Sequence, residues 1–523
     1  MAALSDPEPA LVFVGFMGAG KSTALAAAAD AGLETADADD LLEAELGMPI
    51  ARFFAEHGEA EFRRREEELV AGLLERAGTG DAIALGGGAV ASARVQEALR
   101  RHAVAWLRVG EEEAWERSAG PDRPLTADRA RFSELHAQRE PIYASLADAV
   151  LGGNRATLER ALPALLALRE LPGARLAWAT SASGQYPAFV GRGLLGMEPL
   201  GRAARHGAAG LAGRPFCVTD EAVAGLYGDA LEPLAARVEV PPGEEAKTLA
   251  EAERVMRELA RAGMTRSDHV VALGGGVVGD LAGFCAASYQ RGVPVVQVPT
   301  TLVAQVDSAY GGKTGVDIPE AKNYVGAYHQ PSAVIADTGT LDTLPAAELA
   351  AGFAEVVKTA LIAGGGLWEQ VRGLGDLDPR RLDDVIFACA LTKLEVVAAD
   401  ERDAGGRAAL NLGHTVGHAI EQATSYGRYR HGEAVGLGLL AALRLSGAGE
   451  LRDEVAGLLD RHGLPVALDP GVDIDAVIAA VERDKKRDAE GVGFVVCERP
   501  GQLRLGARVD ADSLRGAVEE LQR

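Results

Sequence analysis

An apolar run over residues 10–14 leads directly into Gly15-Phe-Met-Gly-Ala-Gly20-Lys21-Ser22, which satisfies the spacing GxxxxGK[ST] in full. No other stretch of the chain limits its fold so tightly. The glycines let successive backbone N–H groups wrap a phosphate chain, the lysine reaches the β/γ oxygens, and a hydroxyl holds Mg²⁺. That geometry exists only where a strand passes through a loop into a helix N-terminus. The spacing therefore predicts a strand at 10–14, a nucleotide loop using Gly15, Gly18, Gly20, Lys21, Ser22 and Thr23, and a helix from Lys21. ATP and Mg²⁺ are the ligands such a loop implies.

Strand signals recur at 82–85 and 103–109, separated by charged helical stretches such as 59–75. This alternation predicts a parallel sheet covered by helices. A helix at 155–170 runs into Leu171-Pro172-Gly173, and residues 1–170 read as one domain. Strands are expected again at 176–180, 215–219, 269–273 and 293–298. After Leu344 the pattern changes to long Ala/Leu/Val helices, with a late strand at 493–496. The fold class is α/β: a P-loop domain, a Rossmann-like α/β part over 175–344, and a mainly helical part over 345–523.

A length of 523 residues suits three or four structural domains, and 48% hydrophobic with 25% charged residues is ordinary for a globular chain. The net charge of −23 argues against a nucleic-acid partner, which needs a basic surface to displace phosphate counterions. Anionic small molecules would then need local basic pockets. Cys217, Cys285, Cys389 and Cys497 are scattered without a CxxC pair, as in a reducing compartment. The prolines and acids of residues 1–10 do not resemble a signal peptide, and no apolar run approaches the roughly 20 residues of a membrane span. A soluble, cytoplasmic enzyme of small molecules is expected.

Further motifs follow the phosphate loop in order: Asp37-Ala38-Asp39, Phe62-Arg63-Arg64, Gly86-Gly87-Gly88, Asp122-Arg123-Pro124-Leu125 and Arg139-Glu140-Pro141-Ile142-Tyr143. Singly these read as a helix cap, a solvated face or a turn. Together, over the whole first segment, they resemble shikimate kinase. The resemblance implies that Asp37 acts near Mg²⁺ and that Asp39 binds the shikimate hydroxyls and assists deprotonation. Arg63 and Arg139 would clamp the carboxylate, for which a planar guanidinium suits. Gly86, Gly87 and Gly88 would let the backbone approach the ring, and Arg123, on a mobile lid, would neutralise the transferred phosphoryl group.

In the second segment, Gly274-Gly275-Gly276-Val277-Val278-Gly279-Asp280 follows a strand without matching GxGxxG. Arg291, the run 299–307, Gly311-Gly312-Lys313 and Lys322-Asn323 then place cations and amides around glycine turns, suited to a phosphorylated acid. Farther on come Glu355, Lys358, and Asn411-Leu-Gly-His414-Thr-Val-Gly-His418, followed by His431-Gly432-Glu433. Spacing alone pairs His414 with His418, one helical turn apart, as joint metal ligands.

From Arg175 to Asp484-Lys485-Lys486 this order of motifs resembles 3-dehydroquinate synthase. The resemblance implies a different ligand set, Glu355, His414 and His431, for Zn²⁺ or Co²⁺, with His418 facing substrate. Asp307, Lys358 and His418 would complete the catalytic pocket. Arg291, Lys313, Asn323, Lys393, Arg407, Asn411 and Lys485 or Lys486 would hold substrate. NAD would meet Asp220, Gly243, Glu244, Lys247, Gly275, Gly276, Val277, Gly279, Asp280, Thr300, Thr301, Lys313, Lys322, Thr340 and Thr343. Asp317 departs from the Asn common in that family.

The implied reaction converts 3-deoxy-arabino-heptulosonate 7-phosphate into 3-dehydroquinate and phosphate, with a hydride lent to NAD and returned within one turnover. Such synthases are typically homodimers. Rival readings are a related sugar-phosphate cyclase, a polyol dehydrogenase of similar architecture, or a half that has become a noncatalytic module. Residues 407–418 together with Lys313, Lys322 and Asn323 favour the synthase.

Overall fold

The computed structural model describes residues 9–118, 128–196, 211, 213–403, 405–483, 487–488 and 491–522. Chain contacts separate them into two compact units. The first holds residues up to Ala179 with Gln185–Phe189; the second holds Thr180–Gly184, Val190–Gly196 and everything from Leu211.

In the first unit, Leu11–Val14 is apolar and buried at every position, as a central strand of a parallel sheet covered on both faces must be. The strands run parallel in the order Glu34–Asp37, Asp81–Ala84, Leu11–Val14, Ala103–Arg108, Ala149–Gly152. Arg175–Thr180 adds beyond them through Ala149↔Leu176, so the turn at 171–173 lies inside this unit. Helix Lys21–Asp30 follows the first strand and packs against helix Arg155–Leu168, which the Asn154 side chain caps by accepting from Thr157 N–H at 3.0 Å. The helix expected at 59–75 lies within Ile50–Arg76, which bends at Gly58 (φ 82°).

The second unit opens with parallel strands in the order Ala333–Asp337, Val295–Pro299, His269–Gly274, Pro215–Asp220, Ala236–Val240. Chain progression reverses between His269–Gly274 and Pro215–Asp220. The carboxyl ends of those two strands therefore flank a topological switch point, where open α/β sheets bind ligands. Phe216, Val218, Val270, Leu281, Ala282 and Val295 form the centre of its core, at most 1% exposed. Helix Gly276–Ser288 starts at the glycine run, and an antiparallel hairpin, Lys313–Ile318 with Ala321–Tyr328, packs against it.

From Ala346 the unit is mainly helical: Ala346–Ala363, Asp383–Ala399, His414–Ala423, His431–Leu445, Gly449–Arg461 and Ile474–Glu482. The strand expected at 493–496 is the centre of Gly491–Arg499, paired antiparallel with Gln502–Arg508. No helix among the described residues is long and apolar enough to cross a membrane.

Candidate active sites

The phosphate loop occupies the turn between Leu11–Val14 and Lys21–Asp30. Gly20 stands at the helix start with φ 96°, and a Cβ there would meet Gly153 O at 2.3 Å. Only glycine suits both the left-handed backbone and that approach. No side chain caps this helix, so its first N–H groups point into the loop as an anion site requires. The Lys21 ammonium donates to Gly15 O (2.9 Å) and Phe16 O (3.2 Å), folded over the loop it is expected to serve. Ser22 and Thr23 follow in the helix's first turn.

Beside it the sequence-predicted residues gather. Asp37 both ends its strand and caps helix Ala38–Leu46, accepting from Asp39 N–H at 3.0 Å. The Asp39 carboxylate faces Gly86, where a Cβ would sit 2.4 Å from its Oδ1. Partial withdrawal from water, with Asp37, Glu66 and Asp40 nearby, pushes its pKa up to about 6 against the pull of Lys21. Arg63 pairs with buried Glu66, and its guanidinium lies where a side chain on Gly88 would otherwise project. Burial, together with nearby Arg63, lowers the pKa of Arg139, which lies close to Gly87 and Tyr143. Tyr143 donates to Gly87 O at 2.6 Å. Sequence reasoning passed over Glu66, which sits in a charge-rich helix that reads as a solvated face, and named Tyr143 within its motif without a role. Arg123 lies outside the described residues.

The second unit contains a cavity of about 1120 Å³ at its switch point. Of the expected dinucleotide set, Asp220, Gly243, Glu244, Lys247, Gly275, Gly276, Val277, Asp280, Thr300, Thr301, Lys313, Lys322, Thr340 and Thr343 line it. Gly279 does not; it faces Gln297, whose Nε2 donates to Gly279 O at 3.2 Å. Helix Gly276–Ser288 also begins without a side-chain cap, leaving its first N–H groups toward the cavity. Lys247 is buried and paired with Asp280 at 2.7 Å, and Asp280 and Glu244 raise its pKa even against burial. Asp220 caps helix Glu221–Tyr227, accepting from Ala222 and Val223 N–H at 3.0 and 2.9 Å. Asp317, beside the cavity, accepts from Asn323 N–H at 2.6 Å and so steadies that residue's left-handed backbone (φ 53°).

Of the expected metal and substrate residues, Asp307 and Asn323 from the α/β part and Glu355, Lys393, His414, His418 and His431 from the helical part line the same cavity. Two glycines bring them together. A Cβ on Gly432 would lie 1.8 Å from Ala351 O, and one on Gly438 would lie 2.0 Å from Gly413 O. Helix His431–Leu445 can thus approach helix Ala346–Ala363 and the start of His414–Ala423 at backbone distance. Glu355 Oε1 then stands 3.5 Å from His414 Nε2 and 3.3 Å from His431 Nε2. The ligand atoms of Glu355, His414 and His431 all lie within 4.8 Å of one another, and those of His418, Glu421 and His431 form a second such group. No such group among the described residues holds both His414 and His418, so the pair drawn from spacing alone does not close.

The electrostatics suit a cation. Burial and Lys358 hold His414 well below the usual imidazole range, and its Nδ1–H donates to Leu412 O at 3.2 Å, leaving the Nε2 lone pair toward Glu355. Burial would lower His431 as well, but its bonds to Glu355 and Glu421 hold it at about 9. Burial disfavours the Glu355 anion, yet Lys358, His414 and His431 outweigh it and keep the carboxyl well below its ordinary range. The two carboxylates around His431 call for positive charge, which a divalent cation held by Glu355, His414 and His431 would supply.

Asp307 lies in the π-helical turn Ala304–Ser308, bonded to Lys358 at 2.6 Å and paired with Lys393, while Lys358 also pairs with Glu355. Lys358 therefore sits behind the cavity wall. Arg407 is buried and donates to Glu401 O (2.7 Å) and Gly311 O (3.1 Å), bracing the wall from outside the lining. Arg291, in the turn after helix Gly276–Ser288, and Asn411, ending a 3₁₀ turn, are not lining residues either. Lys485 and Lys486 lie outside the described residues. Glu421 and Tyr426 escaped the sequence reading, although Glu421 follows His414 by seven positions and so shares its helix face.

A P-loop phosphotransferase unit thus precedes an α/β-plus-helical unit whose cleft joins a dinucleotide-type crevice to a His/Glu cluster. The shikimate kinase family model matches residues 17–168, and the N- and C-terminal models of 3-dehydroquinate synthase match 237–351 and 352–487. The chain is 46% identical over 356 residues to the 3-dehydroquinate synthase of Symbiobacterium thermophilum, covering 98% of that protein and 65% of this chain. Among solved structures, 2-deoxy-scyllo-inosose synthase complexed with carbaglucose-6-phosphate, NAD⁺ and Co²⁺ superposes with a TM-score of 0.60 at 25% identity, over 66% of this chain and 99% of that one. The 2-epi-5-epi-valiolone synthase of Streptomyces hygroscopicus subsp. jinggangensis, with NAD⁺ and Zn²⁺ bound, gives 0.59 at 27% identity over the same shares. The chain belongs to the 3-dehydroquinate synthase family and carries a shikimate kinase domain ahead of the synthase. It is a bifunctional enzyme of the shikimate pathway.

Proposed function

We propose that the first unit phosphorylates shikimate around Lys21 and Asp39. The second unit converts 3-deoxy-arabino-heptulosonate 7-phosphate into 3-dehydroquinate and phosphate in the cleft bounded by Glu355, His414 and His431. The observation that carries this reading is the convergence of those three ligand atoms within 4.8 Å, in a cavity that also receives an uncapped glycine-rich helix start. Three protein ligands leave a position for substrate, the pattern of a catalytic rather than a structural site.

In the kinase, Lys21 and the loop N–H groups hold the β/γ phosphates, Ser22 and Asp37 serve Mg²⁺, and Asp39 accepts the proton of the attacking hydroxyl. Arg63 and Arg139 hold the carboxylate against Gly86–Gly88. In the synthase, NAD and Zn²⁺ or Co²⁺, the partners seen in the solved relatives, supply a hydride acceptor and a Lewis acid when bound. The chain's own residues do the rest. Lys247, Lys322 and the helix start receive the dinucleotide, Lys313, Lys393 and Asn323 bind the anionic and hydroxyl groups of substrate, and the Asp307–Lys358 pair and His418 hold or pass protons. Scattered buried thiols support a cytoplasmic setting, the acidic charge argues against nucleic acid, and the synthase resemblance supports a homodimer.

Single substitutions separate the two activities. Lys21→Ala should reduce shikimate-dependent ADP formation by roughly 10²–10³-fold or more while leaving phosphate release from the heptulosonate phosphate near normal. His414→Ala should do the reverse. Parallel loss of both in either variant would contradict the assignment of two independent sites.

A further inference from the structure

Glu421 has no place in the ligand set, yet its carboxylate is almost fully buried at the edge of the cleft. It follows His414 and His418 on one face of helix His414–Ala423. A buried carboxylate persists only if it is paired, and the two oxygens of Glu421 are divided between two partners. Oε2 lies 3.4 Å from His431 Nδ1, and Oε1 lies 3.8 Å from Lys322 Nζ.

Lys322 is carried by the hairpin strand Ala321–Tyr328. Its ammonium also stands 3.9 Å from Glu244 and 4.4 Å from the ring centroid of Tyr426, just beyond the helix that carries Glu421. One buried carboxylate thus joins the cationic rim of the dinucleotide crevice to the outer nitrogen of a candidate metal ligand. On the metal side, His431 Nε2 faces Glu355 Oε1 at 3.3 Å.

We propose that Glu421 is a positioning residue that couples occupancy of the dinucleotide crevice to metal affinity; this rests on the metal and NAD reading above. Accepting the Nδ1–H of His431 fixes that ring's tautomer and aims the Nε2 lone pair at the cation, the usual task of a carboxylate behind a ligating histidine. Lys322 competes for the same carboxylate. When a pyrophosphate draws the ammonium away, Glu421 becomes the better acceptor, His431 the stronger donor, and the metal binds more tightly. By linkage, the metal tightens dinucleotide binding by the same factor.

The test is titration of the metal-free full chain with Co²⁺, followed by its visible absorption, with and without saturating NAD⁺, and with thermal unfolding measured alongside. NAD⁺ should tighten Co²⁺ binding in the wild type. Glu421→Ala should weaken Co²⁺ roughly 10–100-fold and shift its absorption bands. The isosteric Glu421→Gln, which can still accept the Nδ1–H, should bind Co²⁺ with intermediate affinity. Lys322→Met should bind Co²⁺ at least as tightly as the wild type, and all three variants should lose the effect of NAD⁺. Wild-type Co²⁺ affinity and spectrum in Glu421→Ala, or a wild type indifferent to NAD⁺, would overturn the proposal while leaving the metal site standing. A wild type that binds no Co²⁺ would overturn the site reading itself, and the proposal with it.

Discussion

Asp39 is partly withdrawn from water and stands among three carboxylates with one ammonium to offset them, which together push its pKa up to about 6. A base must be deprotonated to act, so the sign of the effect follows directly: activity is present above that value and is lost as pH falls through it. Measured at low shikimate concentration, kcat/KM for phosphorylation should decline about tenfold per pH unit below about 6. Asp39→Asn should be slow at every pH and lose the step. A wild-type profile flat to pH 5 would remove Asp39 from the role of base. Glu66 shows why such detail escapes a sequence reading. It follows Arg63 by three positions in the charged block Arg63-Arg64-Arg65-Glu66-Glu67-Glu68, and nothing local distinguishes the one buried carboxylate from its solvated neighbours.

Among the elements, helix His431–Leu445 does most to assemble the second site, and it does so through backbone proximity. Gly432→Ala would place a methyl 1.8 Å from Ala351 O, so the helices must separate. This variant should lose about 1–3 kcal/mol of stability, as overpacking does, and should weaken Co²⁺ binding because Glu355 and His431 move apart. Thermal unfolding and Co²⁺ titration check both, and unchanged metal affinity would show that the ligands are not placed by this contact. The contrast with the phosphate loop explains what was legible. Gly15 to Ser22 is a contiguous strand–loop–helix junction, so its chemistry could be read from spacing. Glu355, His414 and His431 sit on three helices, and spacing alone offered His414 with His418, a pair that shares a helix but not a ligand group. The grouping of Glu355 with His414 and His431 was expected only through the family's order of motifs. The hairpin Lys313–Ile318 with Ala321–Tyr328 was not legible as strands. Its second strand is largely open to solvent and turns through a left-handed Asn323, so it lacks the apolar alternation that marks a half-buried strand.

For the whole molecule, a net charge of −23 means that both anionic substrates would depend on local cations, for which Lys21, Arg63 and Arg139 in one unit and Lys247, Lys313, Lys322 and Lys393 in the other are the candidates. Each unit is compact and holds its own candidate site, which is why the two activities are expected to fail separately. In the proposed reaction the second unit lends a hydride to NAD and recovers it, as a cyclising synthase does and a dehydrogenase does not. The most direct measurement follows released phosphate and NADH absorbance together, with purified full chain, 3-deoxy-arabino-heptulosonate 7-phosphate and NAD⁺ held well below the substrate concentration. Phosphate should accumulate far beyond the NAD⁺ supplied, should stop when NAD⁺ is omitted, and should leave no lasting NADH. One NADH formed for each phosphate released would contradict the synthase account and leave a dehydrogenase in its place.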